Sequence, residues 1–250
     1  LPTQDVAVLR LLLAVLYTAF SRVDVQGENA PIGAGEDPDL ALERWESLWH
    51  SKHFPVQPLT TYLEKWHERF WLFHPERPFW QVPQAKIGTA YSAAKLNGEI
   101  SESSNKLRMF TAYSGTGKSE LSYAQAARWL LYVNGFDDTS AKPKEKGLPS
   151  TGAGWLGKVG LILAQGNTLF ETLMLNLVLL KDGEQPWQPP LPCWELSEAR
   201  SAEPTEIPQP DDLAALLTLQ SRRLLLHRED EKVIGYTLLG GDFFARENAF

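Results

Sequence analysis

The sequence predicts an α+β fold: a mostly helical single large domain with a late β-hairpin and long functional loops. Apolar residues recur at helical spacing through much of the chain. Segments with strand character come late and as a neighbouring pair, which differs from the alternating strand–helix order of a doubly wound sheet. A chain of 250 residues is long enough to bury a sizeable core. We therefore expect one domain over residues 1–250.

Helices are predicted where apolar residues keep helical spacing and a capping residue stands at the start. The first covers residues 3–20, where an apolar run interrupted by Arg10 is short for a membrane span, so a buried helix is expected. A second helix is predicted from Asp39, with Trp45 and Trp49 on one face, and a third over 59–73.

Three more helices are predicted further along the chain. One is opened by a capping box of Ser122 and Gln125 and closed at Gly135, and one over 169–180 is opened by a capping box of Thr168 and Glu171. The last is capped by Asp211 or Asp212 and ends at Leu219.

Strand signals are fewer and lie in the second half of the chain. Residues 161–163 are predicted as a strand, and residues 222–228 and 232–239 as a hairpin around an acidic turn. The proline-rich tract 185–210 is expected to lack regular elements, because proline fixes φ and removes a backbone donor.

Charge is distributed unevenly. The formal net charge is −7, yet residues 86–160 hold ten basic and six acidic residues, which gives +4 there and −11 for the remainder. A locally basic stretch on an acidic scaffold suits phosphate contact at one face, although a solvated loop that carries lysines explains the same numbers. The single cysteine, Cys193, excludes an internal disulfide and favours a reducing, cytoplasmic setting.

Patterns that suggest catalysis or cofactor binding are weak. Gly115–Ser119 resembles the end of a phosphate-binding loop, but Ala112 stands where that motif requires its first glycine. Two pairs with metal-ligand spacing are better interpreted as packing residues: His50 with His53, and Glu64 with His67. We therefore expect no catalytic residue, no metal and no cofactor. A nucleotide hydrolase built on Gly115–Ser119 and a protein-only scaffold remain as rival classes.

The first candidate binding segment is a loop that carries Lys106, Arg108 and Phe110. An aromatic side chain with cations beside it is typical of single-stranded RNA recognition, where the ring stacks on an unpaired base and the cations meet the backbone. Packing of Phe110 into the core explains the same pattern, and the residues alone leave the two interpretations open.

The second candidate is the glycine loop, residues 152–158. Its small residues let the backbone approach a partner closely, such as the narrow minor groove of DNA, and its lysine would reach a phosphate. An ordinary flexible turn is the alternative. The candidate DNA-binding residues are Gly152, Ala153, Gly154, Gly157 and Lys158.

The segment from Leu59 to Trp66, with its continuation from Phe70 to Gln81, resembles the signature of a known family. An amphipathic helix stops at His74 and enters a Pro-x-x-Pro corner flanked by large aromatics. On these residues the chain is similar to the large subunit (CasA) of the type I-E CRISPR surveillance complex, Cascade. The resemblance covers most of that family's N-terminal domain and implies that its C-terminal helical bundle lies outside these 250 residues.

The resemblance implies a non-catalytic subunit that recognises nucleic acids. It implies that Lys106, Arg108 and Phe110 contact the 5′ handle of the guide RNA (crRNA) and that the glycine loop reads the protospacer-adjacent motif of target double-stranded DNA. The implied partners are therefore crRNA, target DNA, the other Cascade subunits and a helicase–nuclease, without a membrane. On this hypothesis Gly154→Gln weakens duplex binding and spares docking, whereas Phe110→Ala impairs docking first.

Overall fold

The computed structural model describes residues 2–99, 109, 113–137, 144–148 and 152–245, and within them the predicted α+β architecture is confirmed. The helices of this part are α1 (Pro2–Phe20), α2 (Pro38–Ser51), α3 (Val56–Lys65), α4 (Ala93–Leu96), α5 (Thr116–Ser119), α6 (Tyr123–Phe136), α7 (Trp155–Val159), α8 (Leu169–Leu175) and α9 (Leu213–Leu217). Short 3₁₀ turns cover His67–Phe70, Pro83–Ile87 and Cys193–Glu195.

The strands form one three-stranded sheet and two small pairs. The predicted hairpin is confirmed as β5 (Arg222–Glu229) and β6 (Lys232–Gly240), which pair antiparallel with an irregularity between His227 and Arg228. The other strands are β1 (Thr89–Ser92), antiparallel to β6, β2 (Leu180–Lys181), antiparallel to β3 (Gln185–Pro186), and β4 (Thr205–Glu206), parallel to β7 (Asp242–Phe243).

Helix α1 separates two apolar cores. On one side it packs against α6, which covers a face of the sheet, and on the other it meets α9, α8 and the region of α2. Phe20 and Ala14 are fully buried. Among the described residues α1 is the helix that is long and apolar enough to cross a membrane, and its burial confirms the prediction of a core helix.

Several helix starts were predicted correctly. Trp45 and Trp49 stack with ring centroids 5.3 Å apart, as their i, i+4 spacing indicates. The capping box of α6 is present, and of the two candidate caps of α9 it is Asp212 whose side chain accepts from Ala215 N. Thr168 caps α8 by accepting from Glu171 N, but the Glu171 carboxylate accepts from Asn167 N, so the predicted capping box is only half formed. The start of α2 is one residue earlier than expected, with Asp37 as its cap.

The helix ends were predicted less well. The expected helix over 59–73 stops at Lys65 and passes into a 3₁₀ turn, because the chain already turns towards the proline corner. Gly135 does not end α6, which continues to Phe136. A Cβ at Gly135 would lie 3.0 Å from Leu156 Cδ1, so close packing and not helix termination explains this glycine. Helices α8 and α9 end at Leu175 and Leu217, before the predicted ends at residues 180 and 219.

The strand predicted at residues 161–163 is wrong. This segment has no regular secondary structure and is largely solvent-exposed, with Ile162 99% exposed, and no strand of the described chain pairs with it. An apolar run forms a strand only where a partner supplies hydrogen bonds. The proline-rich tract is irregular except for the short elements at Gln185–Pro186, Cys193–Glu195 and Thr205–Glu206.

Candidate nucleic-acid interface

The two predicted binding segments differ in how much of them the structure describes. Lys106, Arg108 and Phe110 lie outside the described residues. At the edge of that loop, Asn97 Nδ2 donates to the carbonyl of Gly117 over 3.0 Å. The Gly115–Ser119 segment holds only the four-residue helix α5, and Leu121 then pairs with Val233 in a β-bridge. It lacks the long helix that follows a phosphate-binding loop.

The inner part of the glycine loop is packed against the end of α6. Gly154 is buried and its N–H donates to the carbonyl of Asp137 over 2.8 Å. A Cβ added to Gly154 would lie 2.7 Å from the carbonyl carbon of Gly135 and closer still to its oxygen. No side chain fits there without moving backbone. Gly154 is therefore needed for packing, and Gly154→Gln cannot separate duplex binding from folding.

The outer part of the loop faces solvent. Gly157 and Lys158 are exposed, and a Cβ at Gly157 would make only ordinary contacts, the nearest 3.6 Å from the carbonyl oxygen of Phe136. Gly152 has φ +67°, a conformation that favours glycine, and its backbone lies beside the end of the Lys158 side chain. The ammonium lies 5.9 Å from the ring centroid of Trp155. The loop thus presents one cation and side-chain-poor backbone at its rim.

A buried arginine fixes this loop to the sheet. Arg222, fully buried at the start of β5, donates from Nε to Asp137 Oδ2 over 2.6 Å and from Nη2 to the carbonyls of Asp137 and Gly152. Its Nη1 donates to the carbonyl of Ser221 over 2.8 Å. Charge-assisted hydrogen bonds of this kind are about twice as strong as neutral ones, so the start of the loop is held firmly.

Sequence reasoning does not single out Arg222 or Asp137 as part of the site. The available signal is the pair Arg222-Arg223 at the start of an apolar strand. Successive strand residues point to opposite faces, so at least one arginine had to face the interior, where it requires a carboxylate. Which carboxylate serves it depends on tertiary contacts, because Asp137 is 85 positions away in the chain.

Among the described residues no cluster of three or more potential metal ligands occurs. His50 Nδ1 lies 2.8 Å from the carbonyl of Glu46, and His53 Nδ1 lies 2.6 Å from the carbonyl of Ser51. Both rings contact backbone at the end of α2 but are exposed to solvent, as are Glu64 and His67, so the expectation that these four are packing residues is wrong.

Comparison with known proteins decides the family. The sequence model described as CRISPR-associated protein Cse1 matches residues 1–249. The chain belongs to the Cse1 family. A CasA/Cse1 protein of Thermus thermophilus is 34% identical over 206 residues, which are 81% of this chain and 38% of that protein.

Solved Cse1 structures share the fold. Cse1 of Thermobifida fusca superposes with a TM-score of 0.74 at 30% identity, over 98% of this chain and 45% of that one. Cse1 of Acidimicrobium ferrooxidans gives 0.68 at 29% identity, over 99% and 45%. A chain of a CRISPR RNA-guided surveillance complex has the same fold, with a TM-score of 0.71 at 21% identity, over 100% and 50%. The present chain spans half or less of these relatives.

Proposed function

We propose that this chain is the N-terminal domain of the non-catalytic large subunit of a type I-E Cascade complex, which acts in the cytoplasm. In this role it contacts the 5′ handle of the crRNA, recognises the protospacer-adjacent motif of target double-stranded DNA and helps to recruit the helicase–nuclease. The observation that carries the proposal is membership of the Cse1 family over residues 1–249. The fold shared with a chain of a CRISPR RNA-guided surveillance complex supports it further.

The glycine loop suits contact with the minor groove of a duplex. The minor groove is only about 6 Å wide, so backbone without bulky side chains enters it more readily than an α-helix does. Gly157 is exposed at the rim and Lys158 adds a cation for a flanking phosphate. Because the minor groove mainly separates A·T from G·C pairs, recognition of this kind tolerates several motif variants.

Anchoring of the loop supports the same role. Arg222 and Asp137 hold its first residue and the end of α6 together, so the rim is carried on a rigid base. A binding loop that is ordered before it meets its partner loses less conformational entropy on binding. The crRNA contact is assigned to Lys106, Arg108 and Phe110, whose aromatic and cationic side chains suit an unpaired strand.

The test is reconstitution of a crRNA-guided complex purified without its large subunit. The full-length protein is added, and binding of two duplexes is measured by titration: one with an adjacent motif and one without it. Restored binding that depends on the motif supports the proposal. Failure of the protein to join the complex, or restored binding that ignores the motif, contradicts it.

Phe110→Ala separates docking from duplex recognition in the same assay. Loss of a stacked base costs about 1–3 kcal/mol, so docking onto the complex should weaken by about tenfold or more. Lys232→Gln, which removes an exposed cation outside the basic stretch, is the control and should dock normally. Unchanged docking of the Phe110 variant would remove this ring from the crRNA contact.

A further inference from the structure

A cavity formed by the proline corner and the 193–200 segment carries more positive than negative charge. We propose that it binds a single phosphate-type oxyanion, either inorganic phosphate or one phosphodiester group of a nucleic-acid strand. Neither predicted binding loop lines this cavity, so the inference goes beyond the proposed function and does not depend on it. Its volume of about 40 Å³ accommodates a small ion and excludes a nucleobase.

Three guanidinium-bearing side chains line the cavity: Arg69, Arg77 and Arg200. The carboxylate in the lining is that of Glu198, which is exposed to solvent. Burial lowers the pKa of Arg77, and the neighbouring charge of Arg69 lowers this pKa further, as expected for like charges close together. The lining therefore carries an excess of cations, in a protein whose net charge is −7.

The protein neutralises these cations only in part. Arg77 donates to the carbonyls of Leu196 and Ser197, over 2.8 and 2.9 Å, and not to a carboxylate. Arg69 forms no ion pair with any described residue. Arg200 Nε lies 3.5 Å from a carboxylate oxygen of Asp242, whose other oxygen accepts from Arg223 over 2.6 Å. One carboxylate thus serves two arginines.

One buried donor among the residues that line the cavity has no acceptor among the described residues: the indole Nε1 of Trp80, a residue only 7% exposed. Nε of Arg200 makes no hydrogen bond either, but an equally unpaired oxygen of Asp242 lies 3.5 Å from it. A buried N–H without a partner is costly, and native proteins seldom leave one. An oxyanion in the cavity would offset the excess of cations and would offer the Trp80 indole an acceptor.

The backbone of Trp80 is also strained. Its φ is +56°, in the left-handed region that bulky side chains rarely adopt. Such residues are concentrated at ligand and active sites, where the surrounding packing holds them against the strain. Trp80 stands in the cavity lining between Phe79 and Gln81.

Phosphate fits this donor set better than carboxylate does. Guanidiniums from three positions and one indole N–H offer more donors than a planar carboxylate accepts, whereas a tetrahedral oxyanion presents acceptors in several directions. An apolar ligand would leave the same donors unpaired and the charges uncompensated.

The direct test follows the indole N–H of Trp80 by ¹H–¹⁵N NMR in the full-length protein. The resonance is assigned from its loss in Trp80→Phe, and sodium phosphate is then titrated against sodium chloride at constant ionic strength. We expect a saturable shift of this resonance with phosphate and none with chloride. A non-saturating or absent shift would mean an adventitious ion only, and would overturn the proposal.

Charge-removing variants decide whether the arginines form the site. Arg69→Gln should raise the phosphate dissociation constant about tenfold or more, because a hydrogen bond to a charged group is lost. Arg128→Gln removes an exposed arginine of α6 and is the matched control. Equal affinity of the two variants would contradict the proposal. If Arg69→Gln fails to fold, Arg200→Gln carries the same expectation.

The two sources of the oxyanion are separated by competition. A short single-stranded oligothymidylate is added to the phosphate-saturated protein at constant ionic strength. Reversal of the Trp80 shift towards a new value identifies a phosphodiester as the ligand. Retention of the phosphate-bound shift identifies free phosphate.

Discussion

Two neighbouring arginines at the start of β5 make a useful comparison. Arg222 and Arg223 are both fully buried, but because strand side chains alternate they serve opposite faces. Arg222 meets Asp137 and the carbonyl of Gly152, and so fixes the glycine loop. Arg223 meets Asp242 and the carbonyls of Gln220 and Ser201, beside the arginine-lined cavity.

The difference between the two faces lies in charge balance. On the Arg222 side one cation has one carboxylate, and the surface that results is built from backbone. On the Arg223 side one carboxylate is shared with Arg200, and the adjoining cavity keeps an excess of cations. One strand thus supports two kinds of surface: one suited to recognition by shape, the other to recognition by charge.

The largest expected effect on stability comes from breaking the buried ion pair of Arg222 and Asp137. Asp137→Ala leaves Arg222 buried without its carboxylate, which should lower the free energy of unfolding by about 3–5 kcal/mol. Urea denaturation of the purified protein measures it. Glu43→Ala, at an exposed site on α2, is the control and should leave the midpoint unchanged. A small loss for Asp137→Ala would mean that the loop is not held by this pair.

The reactivity of Cys193, which lines the arginine-lined cavity, tests the packing on that side of β5. Burial raises the pKa of the Cys193 thiol to about 12, and this effect outweighs the hydrogen bond with Thr218 and the charges of Arg200 and Arg77, which lower it. Because the thiolate is the nucleophile and an unperturbed thiol has a pKa near 8.5, labelling by a disulfide reagent at pH 8 should be about a thousandfold slower in the folded protein than in urea. Rapid labelling of the native protein would show that solvent and the arginines control this thiol.

The same shift predicts a pH dependence of stability. The folded pKa of Cys193 is raised, so its contribution to stability is complete below about pH 8.5 and is lost as pH rises towards 12. Cys193→Ser removes this group, and its unfolding free energy relative to the wild type should therefore improve between pH 8 and 10. A constant difference over that range would contradict the assigned pKa.

A smaller effect distinguishes the two parts of the glycine loop. Gly154→Ala forces a Cβ into the backbone of Gly135, and overpacking of this kind costs about 1–3 kcal/mol. Gly157→Ala meets only ordinary contacts, so its unfolding free energy should stay within about 0.5 kcal/mol of the wild type. Urea midpoints of the two variants provide the comparison. Equal destabilisation would mean that Gly157 is also needed for packing.

Much of the fold follows from local patterns. The capping box at Ser122, the stacked pair Trp45 and Trp49, and the hairpin were all predicted, because each depends on residues close in sequence. The failures lie where distant residues decide. Residues 161–163 lack a partner strand, and Gly135 is explained by Leu156, which comes from another helix.

For the candidate DNA-binding site, the sequence predicts the segment 152–158 but not the role of each residue in it. The glycines of residues 152–158 mark close backbone approach, but their spacing does not show that Gly154 faces α6 while Gly157 faces solvent. Arg222 and the arginine-lined cavity depend on tertiary contacts between parts of the chain far apart in sequence. The roles of Lys106, Arg108 and Phe110 remain predictions from the sequence.

The central claim is that the solvent-facing rim of the glycine loop reads the duplex while Arg222 and Gly154 only hold it in place. The most direct measurement is duplex affinity of the reconstituted complex carrying Gly157→Gln, with Lys232→Gln as the control. We predict that Gly157→Gln reduces the preference for motif-bearing duplex by about tenfold or more, as for a disturbed base contact, with docking and stability unchanged. An unchanged preference in a folded, docked variant would contradict the account.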